Sequence, residues 1–315
     1  MYTRVLVPLD GSTIALQVLP YAKVVAKSTG ARIVLLQALN TYPRELIARI
    51  SADVPMDSSA FPPAADTWSN LQASAAAEAD KRLTEAADRL RGEGFTVDTV
   101  TVEADPADAI VAEAEKAPNT VIAISTHGRS GIGRWLMGSV TDKVVRQALN
   151  RVLIVRARDG EVTSAAPKLA RVVLPLDGSD KSDIATAHAV EMAKGLGVGI
   201  TLLRSISPMA YGDTFADYVP TMYDDLAGEI ESDVRDFLAH EAEGLKALGV
   251  TDVAQKAVDG YAASAIIDEV GDNGDSLVVM ATHGRAGIGR WVLGSVSDRV
   301  VRHSTGPVLV VRPAH

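Results

Sequence analysis

The sequence contains no cysteine, which excludes disulfides, thiolate metal sites and cysteine nucleophiles and suits a cytoplasmic compartment. It also lacks any apolar run near the roughly 20 residues that a membrane helix needs. The opening MYTRVLVPLD enters a strand-like run at once, without the basic segment and cleavage site of a secretory leader, so a cytoplasmic chain with no membrane association is expected. Positive charge is in the minority: 31 Lys and Arg against 40 Asp and Glu leave a formal charge of -9, which argues against nonspecific binding of nucleic acid. No Gly-Lys-Ser or Gly-Lys-Thr occurs, so a Walker-type phosphate loop is excluded.

What is present is one domain written twice. The 22 residues Thr126 to Gln147, THGRSGIGRWLMGSVTDKVVRQ, return 156 residues later as Thr282 to His303, THGRAGIGRWVLGSVSDRVVRH, with 16 positions identical. Arg4 to Ser12 (RVLVPLDGS) likewise recurs as Arg171 to Ser179 (RVVLPLDGS). With 315 residues, 47% of them hydrophobic and 23% charged, there is material for two cores. Arg158 to Lys168 is polar and without apolar period, and reads as a linker between domains at 1–160 and 169–315.

Within the first half, the branched apolar runs Val5 to Leu9 and Ile33 to Leu39 flank a helical spacing from Ile14 to Lys27. Pro20 within that spacing implies either a kink or a late helix start. A helix from Ser69 to Arg91 stops at Gly92 and Gly94, Thr96 to Val102 alternates as a strand, and Pro106 suits the first turn of a helix reaching Lys116. Val121 to Ser125 is a buried strand, Ser139 to Leu149 a helix, and Val152 to Val155 a last strand. The second half repeats the order. Alternating strands and helices predict two tandem α/β domains, each a doubly wound, five-stranded parallel sheet. Asn40 to Thr67 and Ser207 to about Asp224 are too long for plain connections and read as surface excursions, lids or subunit contacts.

The chemistry concentrates in the repeated glycine loop. Gly128-Arg129-Ser-Gly-Ile-Gly133 follows a strand, and nine residues separate Gly128 from Gly138-Ser139, where a helix begins. Close backbone approach at Gly138, exposed amides at the helix start and the helix dipole all favour phosphate. Ser139 with Asp142, and Ser295 with Asp298, have capping-box spacing, so each serine either caps its helix or donates to a phosphate. Asp10 and Asp177 end the first strand of each half. If strands one and four flank the point where strand order reverses, each aspartate shares a crevice with the loop and accepts from a ribose or base; the alternative is an N-cap. Arg129 and Arg285 would neutralise phosphate charge. His127 and His283 lack the companion ligands of a metal site.

These motifs resemble the universal stress protein family in its tandem, two-domain form. Its nucleotide-binding branch carries Gly-x-x-Gly, nine residues, then Gly-Ser or Gly-Thr; here the first glycine is replaced by Ser125 and by Ala281. The resemblance implies an adenine nucleotide alpha hydrolase-like fold with strand order 3-2-1-4-5 and a pseudo-twofold relation between domains, whose last strands pair antiparallel. It further implies ATP with magnesium, one per domain. Adenine and ribose contacts would fall on Pro8, Leu9, Asp10 and Ala38, and phosphate contacts on His127, Gly128, Gly138, Ser139, Val140 and Thr141. The second set would be Pro175, Leu176, Asp177, Ser205, His283, Gly284, Gly294, Ser295, Val296 and Ser297. The role implied is a stress or dormancy regulator acting on a protein partner. The residues leave open a slow ATPase, a scaffold with other ligands, and further dimerisation of the chain. For catalysis there is no Walker lysine, no carboxylate pair placed for two metals and no activated nucleophile.

Overall fold

The computed structural model describes residues 2–39, 65–126, 137–157, 167–179, 182–206, 220–282 and 293–312. The first domain runs β1 (Arg4–Pro8), α1 (Thr13–Leu16), α2 (Leu19–Thr29), β2 (Arg32–Leu39), α3 (Ala65–Gly92), β3 (Val97–Glu103), α4 (Pro106–Glu115), β4 (Thr120–Thr126), α5 (Ser139–Gln147) and β5 (Arg151–Arg156). The second runs β6 (Arg171–Pro175), α6 (Ser182–Leu196), β7 (Gly199–Ile206), α7 (Pro220–Ala247), β8 (Val253–Asp259), α8 (Ala262–Val270), β9 (Ser276–Ala281), α9 (Ser295–His303) and β10 (Val308–Val311). Most of the expected linker and of the two long connections, 158–166, 40–64 and 207–219, lies outside the described residues.

All ten strands join one sheet in the order β3-β2-β1-β4-β5-β10-β9-β6-β7-β8, so each half has the expected order 3-2-1-4-5. Within each half the strands are parallel, and β5 meets β10 antiparallel. Leu153 faces Leu309, its own counterpart 156 residues on, with Val152 opposite Val310 and Ile154 opposite Val308. The pseudo-twofold axis therefore passes between Leu153 and Leu309. Both are about 2% exposed, and burying each contributes on the order of 1.5–3 kcal/mol. The seam also covers two apolar edges that would otherwise recruit other chains.

Strand sequence follows position in the sheet. β4, covered on both faces, is buried at every residue, whereas the outer strands β3 and β8 are largely exposed or half-buried. One helix layer packs Val25, Leu83 and Leu90 together with Met192, Leu238 and Leu245 in a single core that spans both domains. The opposite layer joins Ile110 and Val144 to Ile266 and Val300 in the same way. Two domains thus share two continuous cores.

Local signals explain the helix ends. Pro20 resolves as a late start: α1 ends at Leu16, and Pro20 occupies the first turn of α2, where its missing N–H is no loss. Gly30 closes α2 in the left-handed conformation at φ 72°. Asp105 caps α4 by accepting from the amides of Ala107 and Asp108, with Pro106 at the first position. α7 begins at Pro220 and so takes in the end of the segment read from sequence as a surface excursion, lid or subunit contact.

Candidate functional site

β1 lies between β2 and β4, so the sheet order reverses beside the carboxyl ends of β1 and β4, where open parallel sheets hold ligands. Pro8, half-buried, ends β1, and the buried Leu9 is fixed by donating its amide to the carbonyl of Leu36 at 2.7 Å. Asp10 is exposed at the turn that follows, and its Oδ1 accepts from the Ser12 amide at 2.9 Å. Asp10 is not the helix cap. That work falls to Ser12, whose Oγ accepts from the Ala15 amide at 3.1 Å. Asp177 repeats the arrangement, its Oδ1 accepting from the Ser179 amide at 2.9 Å and the Ser179 hydroxyl at 2.6 Å.

Across the crevice, α5 starts at Gly138 and α9 at Gly294, whose φ angles of -57° and -58° suit any residue. The absence of a side chain, not backbone freedom, is what glycine supplies there. The expected capping box does not form: Ser139 and Ser295 are the first helical residues, exposed, and no side chain caps either helix. Asp142 and Asp298 instead pair one turn on with Arg146 at 2.8 Å and Arg302 at 2.7 Å. Helical hydrogen bonding begins with the amide of Asp142 donating to Gly138, and that of Asp298 to Gly294, both at 2.8 Å. The preceding amides, on Ser139, Val140 and Thr141 and on Ser295, Val296 and Ser297, are the ones a helix leaves for an outside acceptor.

Thr141 is buried and donates its hydroxyl to the Ser125 carbonyl at 3.3 Å, tying α5 to β4. Its backbone amide, not its side chain, is what it can offer a ligand. Thr126, a residue with no assigned role at the sequence level, is buried at the end of β4, and among the described residues its Oγ1 has no hydrogen-bond partner. Ala38 is half-buried on β2 opposite Val102. His127, Gly128, Arg129, His283, Gly284 and Arg285 lie outside the described residues.

In the second domain, Pro175, Leu176, Asp177, Ser205, Val296 and Ser297 line one cavity, so six residues named from sequence converge. Leu203, Ile266 and Met280 give it an apolar wall, and Ala281, standing where the family pattern has glycine, lies in its lining. Its volume of about 100 Å³ is below the roughly 300–1,000 Å³ of ordinary ligand pockets, enough for part of a ligand rather than a whole nucleotide. Ala262 and Ile266 were missed from sequence. The signal was available: α8 follows β8, and the start of every such helix sits at the carboxyl end of the sheet.

The rims of the two crevices differ. In the first domain Lys143 on α5 pairs with Asp105 at 3.0 Å and Asp108 at 2.7 Å, and this bond with Lys143 holds the Asp105 carboxyl below its usual range. In the second, the corresponding cap of α8 is Tyr261, exposed and without a side-chain capping bond. The helices α5 and α9 nevertheless sense one another. Arg146 is kept charged first by Asp142 and further by Asp298, and Arg302 first by Asp298 and further by Asp142.

A model of the universal stress protein family matches residues 1–156 and again residues 168–312. The chain belongs to the universal stress protein family. A universal stress protein of Mycolicibacterium smegmatis is 30% identical over 226 residues, 70% of each chain. One from Mycobacterium tuberculosis is 29% identical over 199 residues, 61% of each chain. Among solved structures, a universal stress protein of Archaeoglobus fulgidus superposes with a TM-score of 0.69 at 20% identity, covering 99% of this chain and 98% of the other, which shows a shared fold. This universal stress protein therefore carries the family domain twice, the two copies related by one pseudo-twofold axis.

Proposed function

We propose that this universal stress protein binds ATP, carried with magnesium, in the crevice of each domain, and that the bound nucleotide biases a surface read by a regulatory partner under stress or dormancy. What supports this reading is the start of α5 and of α9, each opening at a side-chain-free glycine with three amides that a helix leaves for an outside acceptor, and in the second domain Asp177 lines one cavity with Val296 and Ser297. Phosphate suits the amides and the helix dipole. The apolar wall of Leu176, Leu203 and Met280 suits a base, and the carboxylates of Asp10 and Asp177 suit ribose hydroxyls. Ser125 and Ala281 in place of glycine narrow the approach by no more than a small side chain. Turnover is expected to be slow, since the sequence has no Walker lysine. The cysteine-free composition fits a cytoplasmic setting.

The test is to denature the purified protein, identify released small molecules by mass spectrometry, and follow thermal unfolding with and without Mg-ATP. Released adenine nucleotide, or a rise in Tm that grows with ATP concentration, is the expected result. The absence of both release and shift would rule out the reading.

A further inference from the structure

The Asp-Gly-Ser turn that presents the aspartate is packed against an arginine in both domains, and the two arginines come from different places in the fold. Gly11 and Gly178 stand at φ 83° and 78°, a conformation that side chains resist. A methyl group on Gly11 would lie 3.3 Å from Arg82 Nε, and one on Gly178 would lie 2.9 Å from Arg204 Nη1 and 3.2 Å from its Cζ. A guanidinium therefore covers the glycine of each turn.

Arg82 sits on α3 and Arg204 on β7, and they are not counterparts. Buried Leu83, Ala87 and Leu90 of α3 correspond to buried Leu238, Ala242 and Leu245 of α7, 155 residues further on, which puts Phe237 where the first domain has Arg82. β7 pairs with β6 from Arg171 and Gly199 as β2 pairs with β1 from Arg4 and Arg32, which puts Gln37 where the second domain has Arg204. The helix position is used in both halves. In the first it supplies the guanidinium, and in the second it supplies the platform, with the Phe237 ring centroid 4.4 Å from Arg204 Cζ. Two positions differ together, yet the charged plane stays over the same glycine.

We infer that Arg82 and Arg204 are equivalent positioning residues that hold the aspartate turn of their own domain in its ligand-receiving shape. The guanidinium suits the task because it is flat, permanently charged and able to lie against a side-chain-free Cα beside a carboxylate. Gly11 and Gly178 are then required twice, by their backbone angles and by the plane above them. The consequence for ligand affinity rests on the nucleotide reading given above; the consequence for the turn does not.

The experiment uses the full chain and two readouts: amide exchange at Ser12 and Ser179, whose N–H groups report the turn through their bonds to Asp10 and Asp177, and Mg-ATP affinity by calorimetry. Arg82→Ala is expected to speed Ser12 exchange about fivefold to tenfold, the worth of one such hydrogen bond, leave Ser179 unchanged, and weaken binding at the first site when Gly294→Leu disables the second. Arg82→Phe combined with Gln37→Arg transplants the arrangement of the second domain and should restore both readouts. Arg204→Gln combined with Phe237→Arg is the reciprocal transplant, read at Ser179, and serves if arginine at the buried Gln37 position does not fold. Unchanged exchange in Arg82→Ala, or failure of the folded transplants to restore it, would overturn the inference. If the wild-type chain binds no adenine nucleotide, the functional proposal falls, and the exchange rates still decide the role of the arginines.

Discussion

Tyr2 of the first domain and His188 of the second stack with ring centroids 5.4 Å apart and planes 6° from parallel, and the Tyr2 hydroxyl lies 2.7 Å from His188 Nδ1. Arg151 Nε donates to His188 Nε2 at 3.3 Å, and the Tyr2 amide donates to Glu191 at 2.7 Å. Arginine can only donate, so Nε2 must be the accepting nitrogen and the proton rests on Nδ1, leaving the tyrosine oxygen to accept. By the repeat, Leu169, Tyr21 and Pro307 stand where Tyr2, His188 and Arg151 do, so the histidine and arginine of this contact occur on one side of the pseudo-twofold axis.

This arrangement makes stability depend on pH in a defined window. Burial, with Arg151 adding to it, pushes the His188 pKa down to about 4 from an ordinary 6.5. As pH falls, the unfolded chain therefore takes up the proton first, and the folded contribution is complete above about 6.5 and is lost progressively toward 4. Unfolding midpoints measured from pH 7 to 4 should fall less steeply in His188→Gln than in the parent. Parallel curves would show that the neutral imidazole carries no such linkage.

Much of the fold was legible because its strands are short branched-apolar runs and its repeat supplies every element twice. Helix ends were legible where chemistry is local, as at Asp105-Pro106 and Gly30. The site was only partly so. Asp10 and Ser139 were each open to two readings because capping and ligand binding draw on the same residue types, and only geometry shows Ser12 doing the capping while Ser139 does not. Contacts between distant segments left no local pattern. Tyr2 against His188 and Arg82 against Gly11 depend on which elements the sheet brings together, and Thr126 becomes notable only once its burial is seen.

The domain interface also rests on a glycine without special backbone angles. A methyl group on Gly195 of α6 would lie 2.6 Å from the Ser28 carbonyl oxygen of α2, across the domain boundary, and 2.7 Å from Ser28 Cβ. Gly195→Ala must push the helices apart and is expected to cost about 1–3 kcal/mol. Gly92→Ala, where the added methyl meets nothing within 4 Å, should be neutral or stabilising by up to about 1 kcal/mol. Urea denaturation of the two variants checks both signs. Equal stability would mean that α2 and α6 can separate without cost.

Gly138 and Gly294 offer a probe of binding that adds no backbone strain. Their backbone angles accept any residue, so Gly138→Leu with Gly294→Leu adds no backbone strain while the added side chains obstruct the helix start, and the unfolding midpoint of the double variant is measured beside its affinity. Mg-ATP affinity measured by calorimetry should fall at least about tenfold, which corresponds to about 1.4 kcal/mol. Retained affinity in a folded double variant would remove the helix start from the nucleotide site.

The serines separate capping from binding. Ser12 accepts from the Ala15 amide, so Ser12→Ala should lower stability by about 0.5–2 kcal/mol, the range for losing an N-cap. Ser139 makes no capping bond and is exposed, so Ser139→Ala should change stability by no more than about 0.5 kcal/mol. If the proposed phosphate site is correct, its hydroxyl supplies one hydrogen bond there, and losing it should weaken Mg-ATP binding about twofold to tenfold. The same holds for Ser295 in the second domain. If Ser139→Ala destabilises the chain as Ser12→Ala does, and ATP affinity does not move, the hydroxyl belongs to the helix and has no part in the proposed phosphate site.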